Sequence, residues 1–191
     1  MEADWEFEVG GDATVPAAPV IDALWAGFVD LRQSPERAWQ LPEAAQLPAL
    51  AEVLAKLNAV TSPVWTSKCD LWPHLEPDEF APDELDAPPG CAACAMGCYI
   101  DLLPRNDQQW IVPAMAAAAC KHVCSLLRAV PLRCCRVDLI IRRAFITPEL
   151  MGLGITAYLT SCGKSEGEAT VTLQAALAAF AGALCGHSTL E

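Results

Sequence analysis

The chain has 191 residues, enough for one domain or one domain with an arm; 53% of them are hydrophobic and 19% charged. A chain of this size buries roughly 70% of its unfolded surface, so it does not depend on disulfides to fold. Its net charge of −12 repels phosphate at long range and makes nucleic acid an unlikely partner.

The charge is unevenly placed. Residues 1–90 carry 17 acids and 4 bases, whereas residues 91–191 carry 7 acids and 8 bases. Lys121, Arg128, Arg133, Arg136, Arg142 and Arg143 have only Asp138 among them. Either the acidic half neutralises the basic half, within the chain or across a dimer, or both are solvated faces. The N-terminus, Met-Glu-Ala-Asp-Trp, has no apolar signal core, and no run approaches the roughly 20 apolar residues of a membrane helix. The expectation is a cytoplasmic or nuclear protein without a membrane partner, whose thiols stay reduced.

In chain order, Trp5, Phe7 and Val9 alternate with acids in the period of a half-buried strand, before Gly10-Gly11. Val20 to Leu31 reads as a helix with the stripe Ile21, Leu24, Trp25, Phe28 and Leu31. Ser34-Pro35-Glu36 is a helix start, Pro42 opens a helical turn, and Pro48 restarts it with Leu50, Val53, Leu54 and Leu57 on one face. Residues 64–90 read as an exposed acidic loop, proline-rich over 73–89, with Glu76, Asp78, Glu79, Asp83, Glu84 and Asp86 lacking a nearby base in the sequence.

From Tyr99 the pattern tightens. Tyr99–Leu103 and Trp110–Val112 are short strand candidates separated by an Asn106-Asp107 turn. Pro113 to Ala129 is an Ala-rich helix with Met115, Ala119, His122 and Leu126 as its contact face. Cys135–Ile146 is a strand with Val137, Leu139 and Ile141 on one face and Arg136, Asp138 and Arg142 on the other. Leu153–Cys162 is another, with Thr156, Tyr158 and Thr160 facing outward. Ser165 and Glu168 form a capping box for a last helix with the stripe Leu173, Leu177, Phe180 and Leu184, and Gly186 stands where a left-handed C-terminal residue belongs.

Seven of the ten cysteines fall between Cys91 and Cys135. Cys91-x-x-Cys94 is half of a tetrahedral zinc site, and Cys69 with His74 is a candidate second half, with Cys98 spare. The other reading of these residues is small hydrophobes in an Ala-rich core. No catalytic residue is assigned: on a helix Cys120 and Cys124 share a face and His122 lies off it. Lys164 stands between a strand and a helix start, where free amides and a lysine suit an anion.

Ala118-Ala119-Cys120-Lys121, Val137-Asp138-Leu139, Cys162-Gly163-Lys164-Ser165 and Glu168 fall in an order that resembles the cyclic pyranopterin monophosphate synthase family of molybdenum-cofactor biosynthesis, over residues 105–185. The resemblance implies a small-molecule anion-binding enzyme in degenerate form, with Arg105, Lys121 and Lys164 as its ligand-binding set. The family's histidine falls near Val130-Pro131 and its late aspartate near Leu184, so the fold carries over better than the activity.

The sequence thus predicts an α+β chain, with helices on a small antiparallel sheet over residues 91–189 and a helical acidic region over 1–90. It points first to a non-catalytic interaction or assembly protein with a protein partner or a homo-oligomer, and to zinc as its one candidate cofactor.

Overall fold

The computed structural model describes residues 1–8, 21–75, 79–106 and 110–186. Val9, Gly10-Gly11, Val20, Glu76, Asp78, Asp107 and the residues after Gly186 lie outside the described residues, and so do the expectations that rest on them.

Among the described residues six strands form one sheet: β1 (Glu2–Phe7), β2 (Ile21–Asp22), β3 (Val64–Trp72), β4 (Cys94–Pro104), β5 (Cys135–Thr147) and β6 (Leu150–Gly163). The order is β1-β5-β6-β4-β3, and β2 pairs with β5 beyond the end of β1. The fold class is α+β, but the sheet is mixed rather than antiparallel, because β1 and β2 run parallel to β5. The first ninety residues supply three of the six strands.

The described residues also form four α-helices, α1 (Pro42–Gln46), α2 (Pro48–Asn58), α3 (Pro113–Arg128) and α4 (Glu166–Cys185), with 3-10 helices over Pro35–Gln40 and Pro82–Leu85. Prolines at the first turns of α1 and α2 start them as expected, since their missing N–H has no intrahelical partner to lose. Leu50, Val53, Leu54 and Leu57 are all buried. α4 lies at the centre of the helix layer, against β6, β4 and β5, with α2 on one flank and α3 on the other. Its Leu173, Leu177 and Phe180 share one core with Leu139, Ile141, Ile155 and Leu159 of the sheet. Gly163 lets α4 approach this closely, for a Cβ there would stand 2.7 Å from the Ala169 amide nitrogen.

Several expectations are corrected. Residues 21–31 are not a helix: Ile21 and Asp22 pair with Ala144 and Phe145, and the Ala23 amide donates to the Phe145 carbonyl. A lone helix of that length is marginal, and pairing with β5 wins. Residues 64–72 are a strand, not loop. A bulge between Thr66 and Cys69 shifts the register, so side chains alternate only on either side of it and the period-two pattern is broken. Trp110 is a buried turn residue whose carbonyl accepts from the Leu153 amide, and Ile111 and Val112 are exposed. The buried face of α3 is Ala116, Cys120, Val123, Cys124 and Leu127, one step round from the expected one; Met115 is 48% exposed. Gly186 closes α4 in the right-handed region.

α4 spans 20 residues at mean hydropathy 1.4, long and apolar enough by length and composition to cross a membrane, so one run does reach that threshold. In this fold its stripe is spent on the sheet.

Four arginines of the basic half pair with acids of the first ninety residues. Arg128 pairs with Asp4, Arg133 with Asp86, Arg136 with Glu84 and Arg142 with Glu8. The acids at 84 and 86 therefore have bases beside them that are distant in sequence.

Candidate functional site

The described α-helices lie on one face of the sheet. The other face is built by the alternate residues, and the ladder register aligns them. Asp138 stands opposite Tyr158, Tyr158 opposite Tyr99, and Tyr99 opposite Asp70. Asp101 stands opposite Thr156. Both ends of this face are covered. At one end Ile21 and Ala23 pack with Trp65, Leu103, Ala144 and Ile146. At the other Leu85 packs on Ala95 and Cys162, and the Leu75 amide donates to the Ala95 carbonyl. Between these two straps runs a polar and aromatic band across the middle of the strands.

Three rings form its centre. Trp72 and Tyr99 have centroids 5.6 Å apart, Tyr99 and Tyr158 5.9 Å, and Trp72 and Tyr158 6.4 Å with nearly parallel planes. Trp72 lies over Gly97, where a Cβ would come within 3.3 Å of the indole; the glycine lets the ring lie down on the sheet. Trp72 remains 36% exposed. Such ring groupings prefer tilted and offset contacts and present π-faces to what approaches.

Charged groups surround the rings in pairs. Arg142 lies 5.6 Å from the Tyr158 ring centre, donates to the Tyr158 hydroxyl at 3.2 Å, and pairs with Glu8. It also donates to Thr156 Oγ1 at 3.5 Å, and that hydroxyl donates to Asp101 at 2.5 Å. Asp101 is 4% exposed, and burial raises its pKa against the hydrogen bond from Thr156 and the charges of Lys68 and Arg142. The Tyr99 hydroxyl is pushed up to about 12, first by burial and then by Asp101 and Asp70. Asp138 is raised by burial, with Arg136 bonded to both its oxygens. Lys68 Nζ stands 5.4 Å over the Trp25 ring. The N-terminal strand adds a row of carboxylates, Glu2, Asp4, Glu6 and Glu8, beside Arg136 and Asp138. Asp4, Glu6, Arg136 and Asp138 line a cavity of about 240 Å³ there.

The residues singled out from the sequence stand elsewhere. Arg105 donates to the carbonyls of Ser62, Asn58 and Ala59 and so closes the C-terminal end of α2. Lys164 sits at the opposite end of β4, an 11-residue strand, roughly 33 Å away at 3.3 Å per residue. Lys121 is exposed on α3. The structure does not bring the three together; the cleft beside Lys164 is lined by Cys91, Arg133, Cys134 and Cys162. Of the metal candidates, Cys69 stands opposite Ile100 and Cys94 opposite Gly163, six positions apart along β4, roughly 20 Å. His74 is exposed with Nδ1 3.6 Å from Glu166, and Cys91 lines the Lys164 cleft. Among the described residues no three His, Cys, Asp or Glu side chains are placed to hold a metal ion. The described cysteines are free, and Cys98, Cys120, Cys124, Cys135 and Cys162 are buried. Burial pushes the Cys69 and Cys120 thiols up to about 12.

Sequence reasoning placed Arg136, Asp138, Arg142, Thr156 and Tyr158 on one face but missed the centre of the site, Trp72, Tyr99 and Asp101. The alternation of Tyr99 and Asp101 within Gly97–Leu103 was the available signal; Trp72 had none, because the bulge conceals β3. Comparison of the chain with protein-family models, with curated proteins and with solved structures finds no match.

Proposed function

We propose that this chain is a non-catalytic interaction protein whose open sheet face binds a basic segment of a protein partner, rich in arginine or lysine. The single observation that carries the reading is the cluster of Trp72, Tyr99 and Tyr158, uncovered by any described helix and bordered by Asp70, Asp101, Asp138 and the carboxylates of β1. Rings attract cations to their faces by their quadrupole, by about 2 kcal/mol when water is excluded. Carboxylates around them give the charge complementarity that selects a cationic partner. Arg136 and Arg142 are held in ion pairs with Asp138 and Glu8, which fixes a patterned surface in place rather than leaving those groups to carry protons. The alternative, an enzyme built on Arg105, Lys121 and Lys164, has less support, since Arg105 is engaged with three carbonyls at the end of α2.

The test is calorimetric titration with an arginine-rich peptide and a glutamate-rich control at physiological salt. The expected result is binding of the first only, weakened about tenfold or more in Trp72→Ala and Tyr158→Ala, which corresponds to about 1.4 kcal/mol. Equal binding by the variants reduces the interaction to unspecific attraction between opposite net charges and overturns the proposal.

A further inference from the structure

The cysteine cluster that the binding face leaves unused meets at the other end of the sheet. Cys135 stands opposite Ser161 in the β5–β6 ladder, so Cys134 and Cys162 are the next opposed pair, and the Cys162 amide donates to the Cys134 carbonyl at 2.9 Å. Opposed residues of antiparallel strands have Cα atoms about 4.5–5.5 Å apart, within the span a disulfide bridges. The Cys134 side chain packs against the cluster that Cys162 forms with Leu85 and Ala95. Both line an open cleft of about 670 Å³ with Arg133 and Lys164 on its walls. Cys134 is half-exposed and sits in the left-handed region at φ 60, which sets it off from the regular strand; Cys162 is 1% exposed.

We propose that Cys134 and Cys162 are a reversible thiol–disulfide site whose co-reactant is a small disulfide of the glutathione class. Cys134, the accessible sulfur, loses its proton to water and attacks one sulfur of the small disulfide. That S–S bond breaks, and the first small thiolate leaves with the electron pair and is protonated. Cys162 then loses its proton and attacks the Cys134 sulfur, expelling the second small thiolate. The cysteine pair is oxidised by two electrons and the reagent reduced to two thiols. Burial and the neighbouring Cys134 push the Cys162 thiol up to about 12, so the second step is the slow one and the mixed disulfide accumulates before the bridge. The bridge forms beneath Leu85, which packs against Cys162. It therefore sits under the strap that borders the binding face, and it stands independently of what that face binds.

The experiment incubates the reduced native protein with glutathione disulfide, quenches with N-ethylmaleimide, and follows intact mass and non-reducing peptide maps over time. The expected course is a single glutathione adduct that gives way to a Cys134–Cys162 linkage, faster at higher pH. Cys134→Ser abolishes both species, Cys135→Ser leaves both, and Cys162→Ser stops at the adduct. A native protein that forms neither species, an adduct that persists in the wild type, or a linkage through Cys91 or Cys135 overturns the proposal.

Discussion

The two faces of the sheet are made by alternate residues of the same strands, yet they follow different rules. On the helix side Val137, Leu139, Ile141, Ile155 and Leu159 are closed off by α4 and its neighbours. On the other side Tyr99, Asp138, Arg142 and Tyr158 lie between two straps, joined by ring contacts and ion pairs and only partly covered, with Asp101 buried among them. One face has a single apolar stripe to bury and settles the fold. The other carries polar and aromatic groups whose burial costs free energy unless they are bonded: Asp101 and Thr156 are buried and bonded to each other, while Trp72 stays at the surface. The contrast assigns stability to one face and recognition to the other, and substitutions on each should separate accordingly.

The largest expected effect is on the closed face. Phe180 is fully buried in the core, and Phe180→Ala should lower unfolding free energy in urea by roughly 3–5 kcal/mol through the cavity it leaves, with the protein's native mass unchanged. Dissociation of an oligomer at unchanged stability would make α4 an interface element instead. Next comes Arg105→Ala, which strips hydrogen bonds from three carbonyls at the end of α2. Loss of charge-assisted bonds suggests about 2 kcal/mol, read in the same denaturation experiment; a ligand-binding role for Arg105 would instead leave stability nearly intact.

These two positions also show what was legible in the chain. The last helix could be read because its stripe and its start agree: Ser165 accepts from the Glu168 amide at 3.3 Å, as the sequence predicts, although Glu168 accepts from the Lys164 amide rather than from that of Ser165. Strands β5 and β6 could be read because apolar and polar residues alternate from Cys135 to Leu139 and from Ile155 to Thr160. The segment around Trp25 could not, since its helical spacing is overridden by pairing with β5, and β3 could not, since its bulge resets the alternation. The contact face of α3 lies one step round from the expected one because Cys120 and Cys124 pack there as small hydrophobes. The candidate site needs β3, β4 and β6 side by side, and no local pattern states that register.

On the open face the effects should be smaller. Trp72→Ala removes two ring contacts and should cost about 1 kcal/mol of stability while weakening the arginine-rich peptide about tenfold. A stability loss as large as that of Phe180→Ala would show that the open face is core after all. The smallest effect has the opposite sign. Asp101 has its folded pKa raised above 3.8 by burial, so its contribution to stability is fully present below pH 3.8 and is lost as pH rises through the raised value. Asp101→Asn keeps an acceptor for Thr156 without the charge. Its Tm should therefore exceed that of the wild type at pH 7, and the difference should shrink towards pH 3; a variant less stable at pH 7 would mean that Lys68 and Arg142 outweigh the burial.

The most direct test of the division between the faces is a chemical-shift map of isotope-labelled protein titrated with the arginine-rich peptide. The account predicts shifts at the Trp72 indole N–H and along the backbones of Lys68–Trp72, Gly97–Asp101 and Thr156–Thr160, with the exposed side of α4 at Val171 and Ala175 unmoved. Shifts gathered on α3 and α4 with Trp72 unmoved would contradict it and place recognition on the helix layer.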